Sequence, residues 1–233
     1  MFSFFPIIDN LYKFFVLPLW ALIVIIGFTF EPLVIVFAFL FLFISIFILV
    51  YFSRLKVIKI QKLIDDNFNF KEYISYYEKI FERKLSLENR VTVCLYLCSA
   101  YLNIGDLEKF RHTIKSIDNS VSMVKNISNK VLYNYLWFSY YSKLNISEEA
   151  RIYYENLLEM KQTLNPKQLK QLSKVYKYTE LVNNLNTMQL NNMETEIKKL
   201  IQSSQSRREE RFSNDLLERY FSLQGNTGDG SVC

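Results

Sequence analysis

The 233-residue sequence has little of what tight turns, cross-links and polar active sites are built from. Five glycines and four prolines are too few for an all-β fold, which needs turn residues at every strand end. Three cysteines, Cys94, Cys98 and Cys233, form no even, spaced framework, so nothing points to a disulfide scaffold or an oxidising compartment. There is one histidine, His112, and any nucleophile–histidine–acid triad would have to be built on it. It lies between Arg111 and Thr113 on the charged side of its segment and reads as solvent-facing. Phosphate-cradling and zinc-protease motifs (GxxxxGK[ST], GxGxxG, HExxH) are absent. Cys94 and Cys98 share a helix face at i,i+4, but structural zinc needs four ligands and the sequence offers no CxxC or HxxxH to complete the set. They read as small buried fillers. The acidic pairs Asp65-Asp66, Glu148-Glu149 and Glu209-Glu210 diverge around a helix axis and read as surface or helix-start charges. No catalytic residue, metal site or cofactor is expected, and the chain does not read as an enzyme.

Charge is missing from the first fifty-odd residues, which carry only Asp9, Lys13 and Glu31. Two apolar runs fill this region, about 11–30 and 33–52. Each approaches the ~20 residues that a helix needs to cross a hydrocarbon core. Glu31-Pro32 separates them, and proline disfavours helix in the residue before it. A loop this short predicts an antiparallel transmembrane hairpin, with residues 1–53 as the membrane anchor. Arg54, Lys56, Lys59 and Lys62 follow the second run, while the loop carries only Glu31. The positive-inside rule then predicts both chain ends in the cytoplasm, at the plasma membrane in a bacterial cell. A cleaved signal peptide is the rival for the first run, but its start is poor in positive charge and a second apolar run follows at once. No Asp, Glu, Lys, Arg or His lies between Phe14 and Phe30 or between Leu33 and Phe52, which argues against transport or proton relay by these segments.

Beyond residue 54 the apolar residues recur at three- and four-residue steps, as on amphipathic helices. Tyr73, Tyr77, Ile80 and Phe81 fall on one face of a first segment. A second, from Leu87, carries Cys94, Leu95, Cys98, Tyr101 and Leu102 and is broken at Gly105. Asp106 is placed to cap the next helix, with Phe110, Ile114 and Ile117 behind it. The pattern returns with Leu136, Phe138 and Tyr141 before the turn LNIS, and Ser147 is placed to cap EEARIYYENLLEM. Phe110 and Ala150 stand 40 residues apart (150 − 110), and Tyr73 and Phe110 stand 37 apart (110 − 73). Such spacings belong to stacked helix–turn–helix arrays. Pro166 opens a further helix, and an apolar stripe through Met193 and Ile197 is interrupted by SSQSRREER before Phe212, Leu216 and Tyr220 resume it. Residues 224–233 have no apolar period and read as a disordered tail.

Two units carry a family likeness. Leu97, Cys98, Tyr101, Gly105, Asp106, Phe110, Ile114 and Ile117 fill the pattern in the first, and Trp137, Phe138, Tyr141, Asn145, Ala150, Tyr154 and Leu157 fill it in the second. On these residues the stretch from Lys62 to Lys161 resembles the tetratricopeptide repeat family. Phe110 departs from that pattern, standing where the family has a small residue. The resemblance implies an α-solenoid whose first helices line an inner groove, and with the apolar runs the expectation is an all-α chain: a two-helix transmembrane hairpin followed, over residues 54–223, by that helical array. Carried over residue by residue, it places Leu95, Ser99, Leu102 and Asn103 in that groove, with Tyr135, Ser139, Ser142 and Lys143 in the next unit. The Lys/Asn/Arg clamp that some relatives use for a terminal carboxylate has no counterpart here, which leaves apolar or tyrosine-mediated contacts.

The interleaved acidic and basic residues of this region read as solvated helix faces, not as a nucleic-acid patch. Expected partners are therefore the bilayer and a protein or peptide. The expected function is a membrane-anchored, non-enzymatic adaptor. The alternative is an accessory or regulatory subunit of an integral membrane complex, bound through the hairpin.

Overall fold

A computed structural model of the chain describes residues 32–228. Every regular element among them is helical, with no strand, so the chain is all-α. The first apolar run, Glu31 and residues 229–233 lie outside the described residues. The chain divides between Lys62 and Leu63.

The first unit holds most of α1, Pro32–Asp65. Pro32 is its first residue, a position where the missing N–H costs nothing. The helix has no break at the expected boundary near residue 53. It runs on through Arg54, Lys56, Lys59 and Lys62, because after Pro32 neither glycine nor proline occurs before Gly105. The passage from apolar to charged sequence therefore happens inside one continuous helix. At 1.5 Å per residue α1 is roughly 50 Å long, against the ~30 Å of a hydrocarbon core. Phe37, Phe41, Phe43 and Phe47 are each at least 65% exposed. Among the described residues, this is the one helix long and apolar enough to cross a membrane.

The second unit begins with the end of α1 and continues as α2 (Phe70–Phe81), α3 (Leu87–Ile104), α4 (Leu107–Lys115), a single turn α5 (Asp118–Val121), α6 (Ile127–Lys143), α7 (Ser147–Thr163), α8 (Pro166–Asn186), α9 (Met193–Gln202) and α10 (Arg207–Gly228). The interrupted C-terminal stripe is thus two helices. The second extends to Gly228, beyond residue 224 where a tail was expected.

The central helix, α3, buries Val91, Val93, Cys94, Leu95, Leu97 and Cys98 around its whole circumference. A helix apolar on every side must be surrounded, and α3 is: it packs against α2, α4 and α6. In turn α6 packs against α7 and α8, and α8 against α7 and α10. Val131 and Phe138 of α6, Ala150 and Leu157 of α7, and Leu172 and Tyr176 of α8 form one buried cluster.

Three of the turns between helices repeat a single geometry. Gly105 sits at φ +79° after α3, and the N–H of Asp106 donates to the Tyr101 carbonyl at 3.0 Å. Forty residues on (145 − 105), Asn145 sits at φ +56° and Ile146 donates to Tyr141 at 3.0 Å. After α8, Met188 sits at φ +56° and Gln189 donates to Asn184 at 2.8 Å. Glycine enters the left-handed region freely and asparagine tolerates it, so each closes a helix by satisfying a terminal carbonyl. Asp106 then caps α4, accepting from the Lys109 N–H. Ser147 makes no such cap: it is the first residue of α7, and Ile146 precedes it without a side-chain hydrogen bond.

Phe110 is fully buried. Its ring stacks on Tyr140 at 4.9 Å and meets the edge of Trp137 at 5.8 Å, and Trp137 stacks on Tyr141 and Tyr153. An aromatic block thus joins α4, α6 and α7. A polar bolt joins the helix starts. The Glu88 carboxylate accepts from the N–H groups of Lys125 and Asn126 at 3.2 and 2.9 Å, and Asn129 donates to Thr92 at 2.9 Å.

Gly105→Ala is expected to cost about 1 kcal/mol of unfolding free energy through the backbone alone, since a Cβ there meets no atom within 4 Å. Asn145→Gly at the equivalent position is expected to be neutral or slightly stabilising. Urea titrations of the two variants check the pair, and an equal loss in both would break the equivalence of the turns. Glu88→Ala removes two charge-assisted hydrogen bonds and is expected to cost about 2 kcal/mol, read by the same titration.

Candidate docking face

The residues expected to line an inner groove are not an open surface. Leu95 and Leu102 are buried, as is Ser142. The reason is the packing of α3 on three sides: no flank of it is left for a partner at Leu95. Asn103 is exposed and donates to the Ser99 carbonyl at 2.7 Å, while Ser99 is half-buried. Lys143 reaches back from α6 and donates to the Leu102 carbonyl at 2.8 Å, one of the carbonyls left unpaired at the end of α3. Burial lowers the Lys143 pKa, and nearby Asp215 works in the opposite direction.

Tyr135 is half-buried and packs against two clusters. One is the α6–α7–α8 cluster; the other comprises Tyr178, Leu181, Leu185, Met193, Ile197, Leu216 and Tyr220 from α8, α9 and α10. Burial raises its pKa, and a hydrogen bond with Ser139 opposes the rise. Ser142 accepts from the Asn186 side chain at 3.1 Å, and Asn186 accepts from Arg219 at 2.8 Å. Each of the second-unit candidates is therefore engaged by its own chain.

Helix α10 takes part through the cluster against Tyr135 and through Arg219 on Asn186. Its start is set by Ser206, whose hydroxyl accepts from the Glu209 N–H at 3.2 Å, while the Glu209 carboxylate accepts from the Gln205 N–H at 2.8 Å. This is a capping arrangement inside SSQSRREER, a stretch whose polarity alone reads as an interruption. Glu209 also holds Lys174 of α8 at 2.6 Å. Burial pushes its carboxyl upward, but the Gln205 N–H and the Lys174 ammonium outweigh that and leave it below the usual range. Phe212 meets Tyr178 edge-on at 4.8 Å, and Ser213, fully buried, lies 3.3 Å from the Tyr178 hydroxyl. The basic residues of the first turns reach further. Arg208 pairs with Asp65 at 3.1 Å, and the Arg211 guanidinium lies over the Phe68 ring at 5.3 Å. Arg208 also lies within electrostatic range of the Tyr73, Tyr135 and Tyr178 hydroxyls. Helix α10 thus crosses from α8, past Tyr135 of α6, to the end of α1 and the start of α2. Sequence periodicity finds α10 as a helix through Phe212, Leu216 and Tyr220. What it lies across depends on long-range pairs such as Arg208–Asp65.

The remaining singled-out residues have structural places. Tyr101 donates to Glu78 of α2 at 2.7 Å, and Cys94 lies 3.9 Å from Cys98 in the core. His112 is exposed on α4. Among the described residues no three His, Cys, Asp or Glu side chains converge as metal ligands. No protein-family model, curated protein or solved structure matches the chain.

Beside α10, Glu196 of α9 accepts from Lys177 at 2.6 Å and from Lys199 at 3.0 Å, and these hydrogen bonds hold its carboxyl down to about 2. A carboxylate with a lowered folded pKa stabilises above its unfolded pKa of about 4.3, and that contribution is lost as pH falls toward 2. The Glu196 carboxyl is expected to titrate near 2 by NMR, and Lys177→Ala is expected to return it toward the ordinary range. A wild-type midpoint above 4 contradicts the pairing.

Proposed function

We propose that the protein is a membrane-anchored adaptor whose helical array presents a docking face for a protein segment at the cytoplasmic side of the membrane. The observation that carries this reading is the single helix α1. It is apolar over its first five turns and basic over its last three. Burying a phenylalanine side chain contributes about 1.5–3 kcal/mol, and six phenylalanines between Phe37 and Phe52 stand exposed. No Asp, Glu, Lys, Arg or His opposes their transfer into lipid between Leu33 and Phe52.

The first apolar run supplies the second leg of the hairpin, with Glu31-Pro32 at its bend. Arg54, Lys56, Lys59 and Lys62 then sit where α1 leaves the bilayer and keep the array in the cytoplasm. The recurrence of one turn geometry every 40 to 43 residues supports an α-solenoid of the tetratricopeptide kind. Anchoring raises the effective concentration of a partner at the membrane, so a weak docking face suffices.

Full-length protein in native membranes is expected to stay with the pellet on alkaline carbonate extraction. Its polar region is expected to resist protease added to intact cells and to be digested in inverted vesicles. Release by carbonate, or digestion from outside, overturns the reading.

A further inference from the structure

We propose that α10 is a built-in occupant of a helix-accepting face, and that on its release the face takes an amphipathic helix with arginines toward its start and an aromatic–aliphatic stripe behind them. This rests on the adaptor reading and specifies its docking site. Three properties of α10 distinguish it from a core element.

The first is how its N-terminal half is held. The attachments to α8 and to the α1–α2 turn are three side-chain pairs, Arg208 to Asp65, Arg211 to Phe68 and Glu209 to Lys174, beside one ring contact, Phe212 on Tyr178, with the buried Ser213 next to it. The side chains of all these ion pairs keep a quarter to a third of their surface in water. Ion pairs of that exposure contribute only about 0–1 kcal/mol each. Specificity, not tight closure, is what they provide.

The second is chemical complementarity. The face offers a carboxylate at Asp65, an ammonium at Lys174 and an amide at Asn186, and α10 answers with Arg208, Glu209 and Arg219 in that order along its length. Between these poles lie the Phe68 and Tyr178 rings, met by Arg211 and Phe212. Polar groups at both ends and aromatic rings between them are the features by which a groove reads an amphipathic helix, through anchors at successive turns.

The third is connection. The α9–α10 link is the short polar segment Ser203–Ser206, and the apolar side of α10 is shared with α9 as well as with α8. Helix α10 therefore has one helix to move with and one face to leave.

The test uses the full-length protein in detergent and a fluorescein-labelled synthetic peptide of residues 205–225 as the probe. The triple variant R208E/R211E/R219E loosens α10 in cis and leaves Asp65, Phe68, Lys174, Tyr178 and Asn186 untouched. It is expected to bind the peptide at least tenfold more tightly than wild type by anisotropy. Its amide exchange is expected to rise over residues 207–223 alone. Adding Asp65→Arg to the triple variant is expected to weaken peptide binding again. Equal peptide affinity in wild type and triple variant, or loss of protection in α6 and α8 together with α10, overturns the proposal and makes α10 part of the core. Carbonate extraction of the same variants reads the anchor separately, so failure of the helix-accepting face and failure of the membrane reading give different results.

Discussion

Helix α3 carries apolar residues around its axis from Val91 to Leu102, and its neighbours are arranged to bury them. Its buried residues fall on every flank, from Val91 to Leu102, and each flank that stayed exposed would forgo the roughly 1.5–3 kcal/mol that burying a large apolar side chain contributes. Helices α2, α4 and α6 close around it. Once α6 is placed in this way, α7 and α8 follow by the same need, because the buried faces of α6 point to both. A chain of helix hairpins in which each buries its neighbour is what results.

The connections hold this order at little cost. Three helices end in a left-handed residue followed by an N–H that returns to the carbonyl five residues back. Glycine, asparagine and methionine occupy the position in turn, so side-chain identity is secondary to the hydrogen bond made. Where the repeat pattern has a small residue, Phe110 is accommodated by rings. Tyr140 and Trp137 accept it at stacking and edge distances, and the block extends through Tyr141 and Tyr153 to α7.

Helix α8, with the end of α1 and the turn after it, carries polar and aromatic groups left over from this packing, and α10 lies against them. The junction is specific because opposite charges meet across it, Arg208 with Asp65 and Glu209 with Lys174. Apolar contact with α8 and α9 holds the middle of α10, through Phe212, Leu216 and Tyr220. Charged pairs hold its first turn through Arg208 and Glu209. The two sets of contacts respond differently to salt: ion pairs at the surface are screened, while apolar burial is not.

Sequence by itself determined the helices and their ends wherever the cause was local. Three- and four-residue apolar steps placed α2 to α4 and α6 to α10, because a helix face is written in residues close together in the chain. Gly105 and Asp106 marked a turn, since few residues enter the left-handed region or cap a helix so readily. Local signals also misled. Ser147 has a capping side chain and makes no cap, and the polarity of SSQSRREER concealed the start of α10. The end of α1 at Asp65 was illegible because a change from apolar to charged residues does not interrupt a helix. Only the tertiary structure decided that Leu95, Leu102 and Ser142 are buried, that Lys143 belongs to the end of α3, and that Arg208 meets Asp65. Those pairings join residues from 41 to more than a hundred positions apart, and no periodicity within one helix specifies which neighbour its faces will meet.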